Sequence, residues 1–340
     1  MEVLKNCPGT LAKGYKSYSP SALRKLFDGK KVNPVLPFSP PQLSEETAAA
    51  FVQNRKYLSV SGVQEKLSMV LEGNALRLAR EEEQGAYILK PVPRDLKKVD
   101  QAPMNEHLTM QLAEQVYGIN TAANGLVFFA DGTPAYLTRR FDLGEDGHKW
   151  GSEDFASLAG KTSENGGANF KYDYSYEALG KLLPQFLPAW RVEIEKLFQL
   201  LVFNYLFSNG DAHLKNFSVL ETPQGDYLMS PAYDLLNTRL HVDDSDFALS
   251  KGLFEDDFKS EAWQKQGHAG YKDFVELANR WEMRPKRVEK LLQSFVERQE
   301  QVEQLVEQSY LDAATQRGYL QAYRTRRNYL EKGSPHDTRS

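Results

Sequence analysis

Asn209-Gly210-Asp211-Ala212-His213-Leu214-Lys215-Asn216, followed by Tyr233-Asp234-Leu235, is the stretch from which the fold of this 340-residue chain is read. An aspartate, an asparagine five positions later and a second aspartate form the minimal side-chain set for phosphoryl transfer. That chemistry needs one carboxylate to orient the attacking hydroxyl and accept its proton. It also needs oxygen ligands for a magnesium ion that bridges the phosphates of ATP. Asp211 suits the first role, and Asn216 with Asp234 suits the second. The spacing alone is weak, because Asp and Asn are also ordinary turn residues.

The setting strengthens it. Val192 to Ser208 is an apolar-rich run without Gly or Pro, expected as a helix that stops at Asn209-Gly210. After Asn216, FSVL, the turn ETPQGD and YLMS read as a short hairpin. The motif therefore falls on a loop between a buried helix and a hairpin, comparable to the catalytic loop of protein kinases.

Working outward, the upstream half reads as a small β-rich lobe. LSMVLEG, NALRLAR and AYILKP alternate apolar and polar residues, with Gly73-Asn74 as a hairpin turn between the first two. Residues 104–117 carry helical periodicity and stop at Gly118, and NGLVFFA and PAYLTRRF read as strands joined at Asp131-Gly132. Before them, a short helix is expected over Pro20 to Phe27 with Ser19 as its cap, and another over Glu45 to Asn54. From about Ser152 the pattern turns helical, ending in VEKLLQSFVERQEQVEQLVEQ and the arginine-rich RTRR at 324–327, which reads as a solvated helix face in preference to a nucleic-acid contact. The expected fold is α+β: a two-lobed, protein-kinase-like architecture with a mixed β small lobe (1–145) and a mainly helical large lobe (146–331). A disordered tail is expected over 332–340, and a hinge over Gly144 to Gly151.

SNGDAHLKNFSV and PAYDLL, with SVSGVQEKLSMV over Ser59 to Val70, resemble the HipA family of serine/threonine kinase toxins. CPGTL near the start, YILKP at Tyr87 to Pro91, MNEH at Met104 to His107 and TRRFD at Thr138 to Asp142 extend the likeness over nearly the whole chain. Full-length HipA proteins carry an additional N-terminal subdomain for which no counterpart is found here. That departure points to the short HipT-like branch of tripartite systems, whose partners are a small HipS antitoxin and a DNA-binding HipB.

The resemblance implies roles that the residues alone leave open. Ser59-Val60-Ser61-Gly62 holds the place of a phosphate-covering loop, although it is neither a Walker A motif nor G-x-G-x-x-G. In the family a serine of this loop is autophosphorylated, which Ser59 and Ser61 match. The added charge of roughly −1.5 to −2 would repel the ATP triphosphate. Lys90, closing the AYIL strand, matches the ATP-binding lysine; taken alone it reads as solvated. Glu106 is a candidate partner for Lys90, as in kinases. Lys215 reads as a phosphate-binding cation that stabilises the transferred phosphoryl group, or as a partner of Asp211. His213 reads as a hydrogen-bonding organiser of the loop, in preference to a metal ligand. Lys161 to Tyr176 is polar and Gly-containing, in the place of an activation or substrate loop, and Glu153-Asp154-Phe155 reads as a helix cap beside the adenine site.

Bulk properties are those of an ordinary globular protein: 41% hydrophobic, 26% charged, net charge −4. No global basic field attracts nucleic acid, so DNA is expected only indirectly, through a HipB-like partner. The single cysteine, Cys7, excludes an internal disulfide framework, and with no signal-like or membrane-spanning run the expected compartment is the cytoplasm. The function expected is an ATP- and magnesium-dependent protein serine/threonine kinase toxin whose substrate is an aminoacyl-tRNA synthetase, tryptophanyl favoured. The alternatives are a small-molecule phosphotransferase, which shares Asp-x4-Asn, and an inactive kinase-like component of a repressor complex.

Overall fold

The computed structural model of the chain describes residues 4–40, 65–93, 97–144, 147–335 and 337. The expected phosphate loop, Ser59 to Gly62, and the helix expected over Glu45 to Asn54 lie outside the described residues.

Helix α1 (Pro20–Phe27) begins as its residues require: the Ser19 hydroxyl accepts from Ala22 N, and proline occupies the first turn, where no intrahelical N–H is needed. Strands β1 (Leu67–Glu72) and β2 (Ala75–Leu78) form the expected hairpin, with Gly73 left-handed at φ 61°. With β3 (Tyr87–Lys90), β4 (Asn124–Phe128) and β5 (Pro134–Arg139) they make a five-stranded sheet in the order β2-β1-β3-β5-β4, every pairing antiparallel.

The two faces of this sheet serve different cores, as the two-residue period of a strand dictates. Val127, Phe129, Ala135 and Leu137 pack with Cys7, Leu26 and Phe27 beneath α1. Leu126, Phe128 and Tyr136 join the larger core that runs through α2 (Ala102–Gln115) into the helical part of the molecule. Cys7 is structural: its buried thiol accepts from Gly9 N and Ser19 N.

A second, three-stranded antiparallel sheet, β6 (Ser152–Asp154), β7 (Ser218–Glu221) and β8 (Tyr227–Met229), opens the helical part. Its long helices are α3 (Trp190–Leu206), α4 (Tyr271–Arg280), α5 (Pro285–Val296), α6 (Glu300–Gln308) and α7 (Ala313–Glu331). The run expected as continuous helix through 308 divides in two, because the chain turns extended at Glu297, ψ 144°. Two expectations at the C-terminus are corrected. Residues 332–334 do not start a disordered tail: Lys332 O accepts from Tyr271 N, and Lys332 pairs with Asp337 at 3.2 Å. Nor is RTRR a solvated basic face. Arg326 is 2% exposed, paired to Asp246 at 2.6 Å and stacked over the Tyr205 ring, while Arg324 pairs with Glu303.

Candidate active site

Four segments distant in sequence meet where the sheet adjoins the helical part. The first is the end of β3. Pro91 cannot donate to a ladder, so the strand stops there and Lys90 turns inward beside the Tyr136 ring, 5.4 Å from its centroid. The buried ammonium donates to Glu106 Oε1 on α2 at 2.6 Å and to Asp234 Oδ1. One cation therefore serves two carboxylates in dry surroundings. Asp234 has a second cation, Lys66 Nζ at 4.0 Å from Oδ2. Against the cost of burial, Lys90 and then Lys66 hold the Asp234 carboxyl down to about 2. Glu106 lacks that second close partner; burial, only partly offset by Lys90, pushes it up to about 7. Lys90 is raised above the ordinary lysine range, because the two carboxylates outweigh its desolvation.

The second segment is Asn209 to Asn216. Helix α3 ends through Ser208 rather than glycine: Ser208 adopts φ 55°, and Asn209 N donates to Asn204 O at 2.8 Å. Gly210 is required for a different reason, close approach. A Cβ there would collide with the Asp244 carboxylate and Ser245 O, and its N–H donates to Thr238 Oγ1 at 2.8 Å. Asp211 and Asn216 are buried to within a few per cent.

The third segment carries Asp234, which sits at φ 55°, a left-handed conformation that aspartate tolerates better than most residues. Two hydrogen bonds join it to the Asn209–Asn216 loop: Asn209 Nδ2 to Asp234 O at 3.5 Å, and Tyr233 OH to Lys215 O at 2.9 Å. The structure thus brings Asp211, Asn216, Asp234, Lys90 and Glu106 into one region. A two-bond clamp fixes α2 to the Asp234 segment: Asn105 Nδ2 donates to Asn237 O (2.8 Å) and Asn237 N to Asn105 Oδ1 (3.1 Å).

The fourth segment, Lys171 to Tyr176, was legible only as a polar loop. Tyr172 OH donates to Asp211 Oδ1 at 2.9 Å, Leu214 N to Lys171 O at 3.1 Å, and Tyr176 OH to Ala212 O at 2.8 Å. Burial lowers Lys171, and the charge of Asp211 opposes that shift. The sequence marks this segment only as part of a run in the place of an activation or substrate loop, and no periodicity ties it to Asp211.

Two expectations change. The His213 ring makes no hydrogen bond among the described residues. Burial, reinforced by the charge of Lys171, drives it down to about 3 and keeps it neutral, edge-on to Tyr172 at 5.2 Å. It organises the loop by packing, while its backbone N–H donates to Asp211 O. Lys215 pairs with Asp154 Oδ2 at 3.1 Å rather than with Asp211, and Asp154 also caps the turn Phe155–Leu158 as expected. Lys66 received no role from the sequence, because the charge it faces lies 168 residues away in the chain.

The donor set suits a hard divalent cation bound jointly with phosphate. It offers carboxylate and amide oxygens, with Asp234 held ionised, and no cluster of three or more His, Cys, Asp or Glu placed to hold a metal occurs among the described residues. Cavities of about 510 and 610 Å³ lie elsewhere, the first between α1, α2 and α6, and do not compete with this reading.

Comparisons with known proteins agree with the geometry. A protein-family model, HipA-like C-terminal domain, matches residues 58–303. A Haemophilus influenzae protein named "Putative kinase" is 27% identical over 332 residues, 91% of each chain. The Shewanella oneidensis serine/threonine-protein kinase toxin HipA is 29% identical over 201 residues, 55% of this chain and 44% of that protein. In three dimensions the chain resembles Shewanella oneidensis HipA, solved with HipB and operator DNA. The TM-score is 0.59 at 19% identity, covering 86% of this chain and 71% of that one. It also resembles the Helicobacter pylori proinflammatory kinase CtkA, with TM-score 0.50 at 13% identity over 75% and 90%. At these identities the structural likeness speaks to the fold, which is two-lobed and kinase-like. With the family match spanning most of its length, the chain belongs to the HipA-like C-terminal domain family and is an enzyme of the serine/threonine-protein kinase class.

Proposed function

We propose that the chain is an ATP- and magnesium-dependent protein serine/threonine kinase acting as the toxin of a toxin–antitoxin system. The observation that carries this reading is the Glu106–Lys90–Asp234 cluster adjoining the loop of Asp211 and Asn216. Asp211 orients the acceptor hydroxyl and takes its proton as the new O–P bond forms and the bond from the γ-phosphorus to ADP breaks. Asp234 and Asn216 would hold the metal, which when bound would neutralise phosphate charge. Lys90, steadied by Glu106, faces the phosphates, and Ser59 to Gly62 cover them. Lys215, half-exposed on the same loop as Asn216, is a further phosphate-side cation.

The acceptor class we favour is an aminoacyl-tRNA synthetase, tryptophanyl first, with autophosphorylation on Ser59 and Ser61 as self-restraint. The partners are a HipS-like small antitoxin and a HipB-like DNA-binding protein, and the compartment is the cytoplasm. No helix of the described residues is long and apolar enough to cross a membrane. The test is incubation of the purified protein with magnesium and γ-labelled ATP, alone and with bacterial lysate protein. Label should enter the protein's own Ser59 or Ser61 and a band of synthetase mass, and Asp211→Ala should abolish both. Labelling of an antibiotic or metabolite and of no protein would establish the small-molecule phosphotransferase instead, and absence of any transfer would leave the repressor-component alternative.

A further inference from the structure

We propose that Tyr172 is a positioning residue for the base Asp211, an inference that rests on the kinase reading. The Tyr172 hydroxyl donates to Asp211 Oδ1 at 2.9 Å across 39 residues of sequence. This is no chance touch of a loose side chain, because the backbone around Tyr172 is fixed on two sides. Towards the catalytic loop, Lys171 O accepts from Leu214 N (3.1 Å), and Tyr176 OH reaches Ala212 O (2.8 Å). On the other side, Tyr172 O accepts from Ser250 N (2.8 Å), Tyr174 O from Lys251 N (3.2 Å), and Tyr176 N donates to Gly252 O (3.0 Å). The ring itself stands edge-on to the buried His213 ring, at 74°.

A carboxylate on two rotatable bonds beside a lysine has more than one place to go. Lys171 is close enough for Asp211 to influence its ionisation, so an untethered carboxylate would be drawn towards it. A hydrogen bond to Oδ1 restrains that rotation. Misplacement of a reacting group by about 1 Å costs on the order of 100-fold in rate. Tyr172 keeps its proton throughout: the acceptor's proton passes to the Asp211 carboxylate, and Tyr172 takes no part in bond making. The strap from Lys171 to Tyr176 thus makes the geometry of the base depend on a segment some forty residues upstream of it.

The test is Tyr172→Phe, with heat-treated bacterial lysate protein as acceptor and γ-labelled ATP. Three quantities are read: phosphate incorporated into protein, ADP released per phosphate incorporated, and the KM for ATP. The expected result is a fall of about tenfold or more in kcat. ADP released per phosphate incorporated should rise, with KM for ATP and Tm unchanged. Tyr174→Phe, on the same strap but with no bond to Asp211 among those described, should behave as wild type. Wild-type kcat and coupling in Tyr172→Phe would overturn the inference, as would a parallel loss of ATP affinity and Tm, or an equal effect of Tyr174→Phe. Failure of the kinase reading looks different: the unmutated protein would transfer no phosphate, or Asp211→Ala would transfer it undiminished.

Discussion

The cluster around Lys90 and the loop around Asp211 both serve one site, yet they are held in opposite ways. Lys90, Glu106 and Asp234 form a dry network of ion pairs, fastened by the Asn105–Asn237 clamp. Asp211 and Asn216 sit on a loop pinned largely through its backbone, by Lys171 O, Tyr176 OH and Thr238 Oγ1, with Tyr172 OH bonded to the Asp211 carboxylate. The lesson is a division of labour. Charges that must face phosphate are assembled before ligand arrives, at a cost in desolvation. The Asp211 loop is held instead by hydrogen bonds with uncharged groups, largely to its backbone.

That contrast can be broken by mutation. Asp211→Ala should reduce phosphoryl transfer by about 10²–10⁴-fold, the range for loss of a general base, with a urea midpoint close to wild type. A large loss of stability would show that the loop aspartate is structural after all. Lys90→Met removes the cation shared by two buried carboxylates, and breaking such a pairing costs about 3–5 kcal/mol. Denaturant unfolding without nucleotide should show it; near-wild-type stability would mean that the cluster is not the rigid half of the site. Asn105→Ala leaves the buried Asn237 N–H without its partner and Asn237 O with only the bond from Leu240 N, for about 1–3 kcal/mol. Amide exchange should rise in α2 and in the segment after Asp234 together; a rise in only one would uncouple them.

The smallest effect is a dependence on pH. Burial raises Glu106, so the folded chain holds this proton more tightly than the unfolded one. Its stabilising contribution is complete below about 4.5 and is lost as pH rises through about 7. In Glu106→Gln that part of the slope disappears, a change of up to about 1.4 kcal/mol per pH unit in urea titrations over this window. Identical slopes in mutant and wild type would place the shared proton elsewhere in the cluster.

Local chemistry made much of this legible. The Ser19 cap, the turns at Gly73-Asn74 and Asp131-Gly132, and the hairpin after Asn216 each depend on a few adjacent residues. The D-x4-N spacing marked the loop that adjoins the Lys90 cluster, and the kinase analogy supplied the Glu106 partner for Lys90. His213 reads as a hydrogen-bonding residue in sequence because nothing in its neighbours reveals that both ring nitrogens are buried without partners among the described residues. Lys215 was given two candidate roles, and Asp154, 61 residues upstream, was in neither. Arg326 looked like part of a basic face until Asp246 and Tyr205 closed around it.

By itself the sequence determined the class of fold and of chemistry and most of the helices and hairpins, because periodicity, caps and motif spacing act over a few residues. Only the tertiary structure decided which charge meets which. Tyr172 at Asp211, Lys66 at Asp234 and Asn105 at Asn237 are joined across 39, 168 and 132 residues. Such pairings are settled by packing, which places side chains within a few ångströms wherever the chain happens to number them.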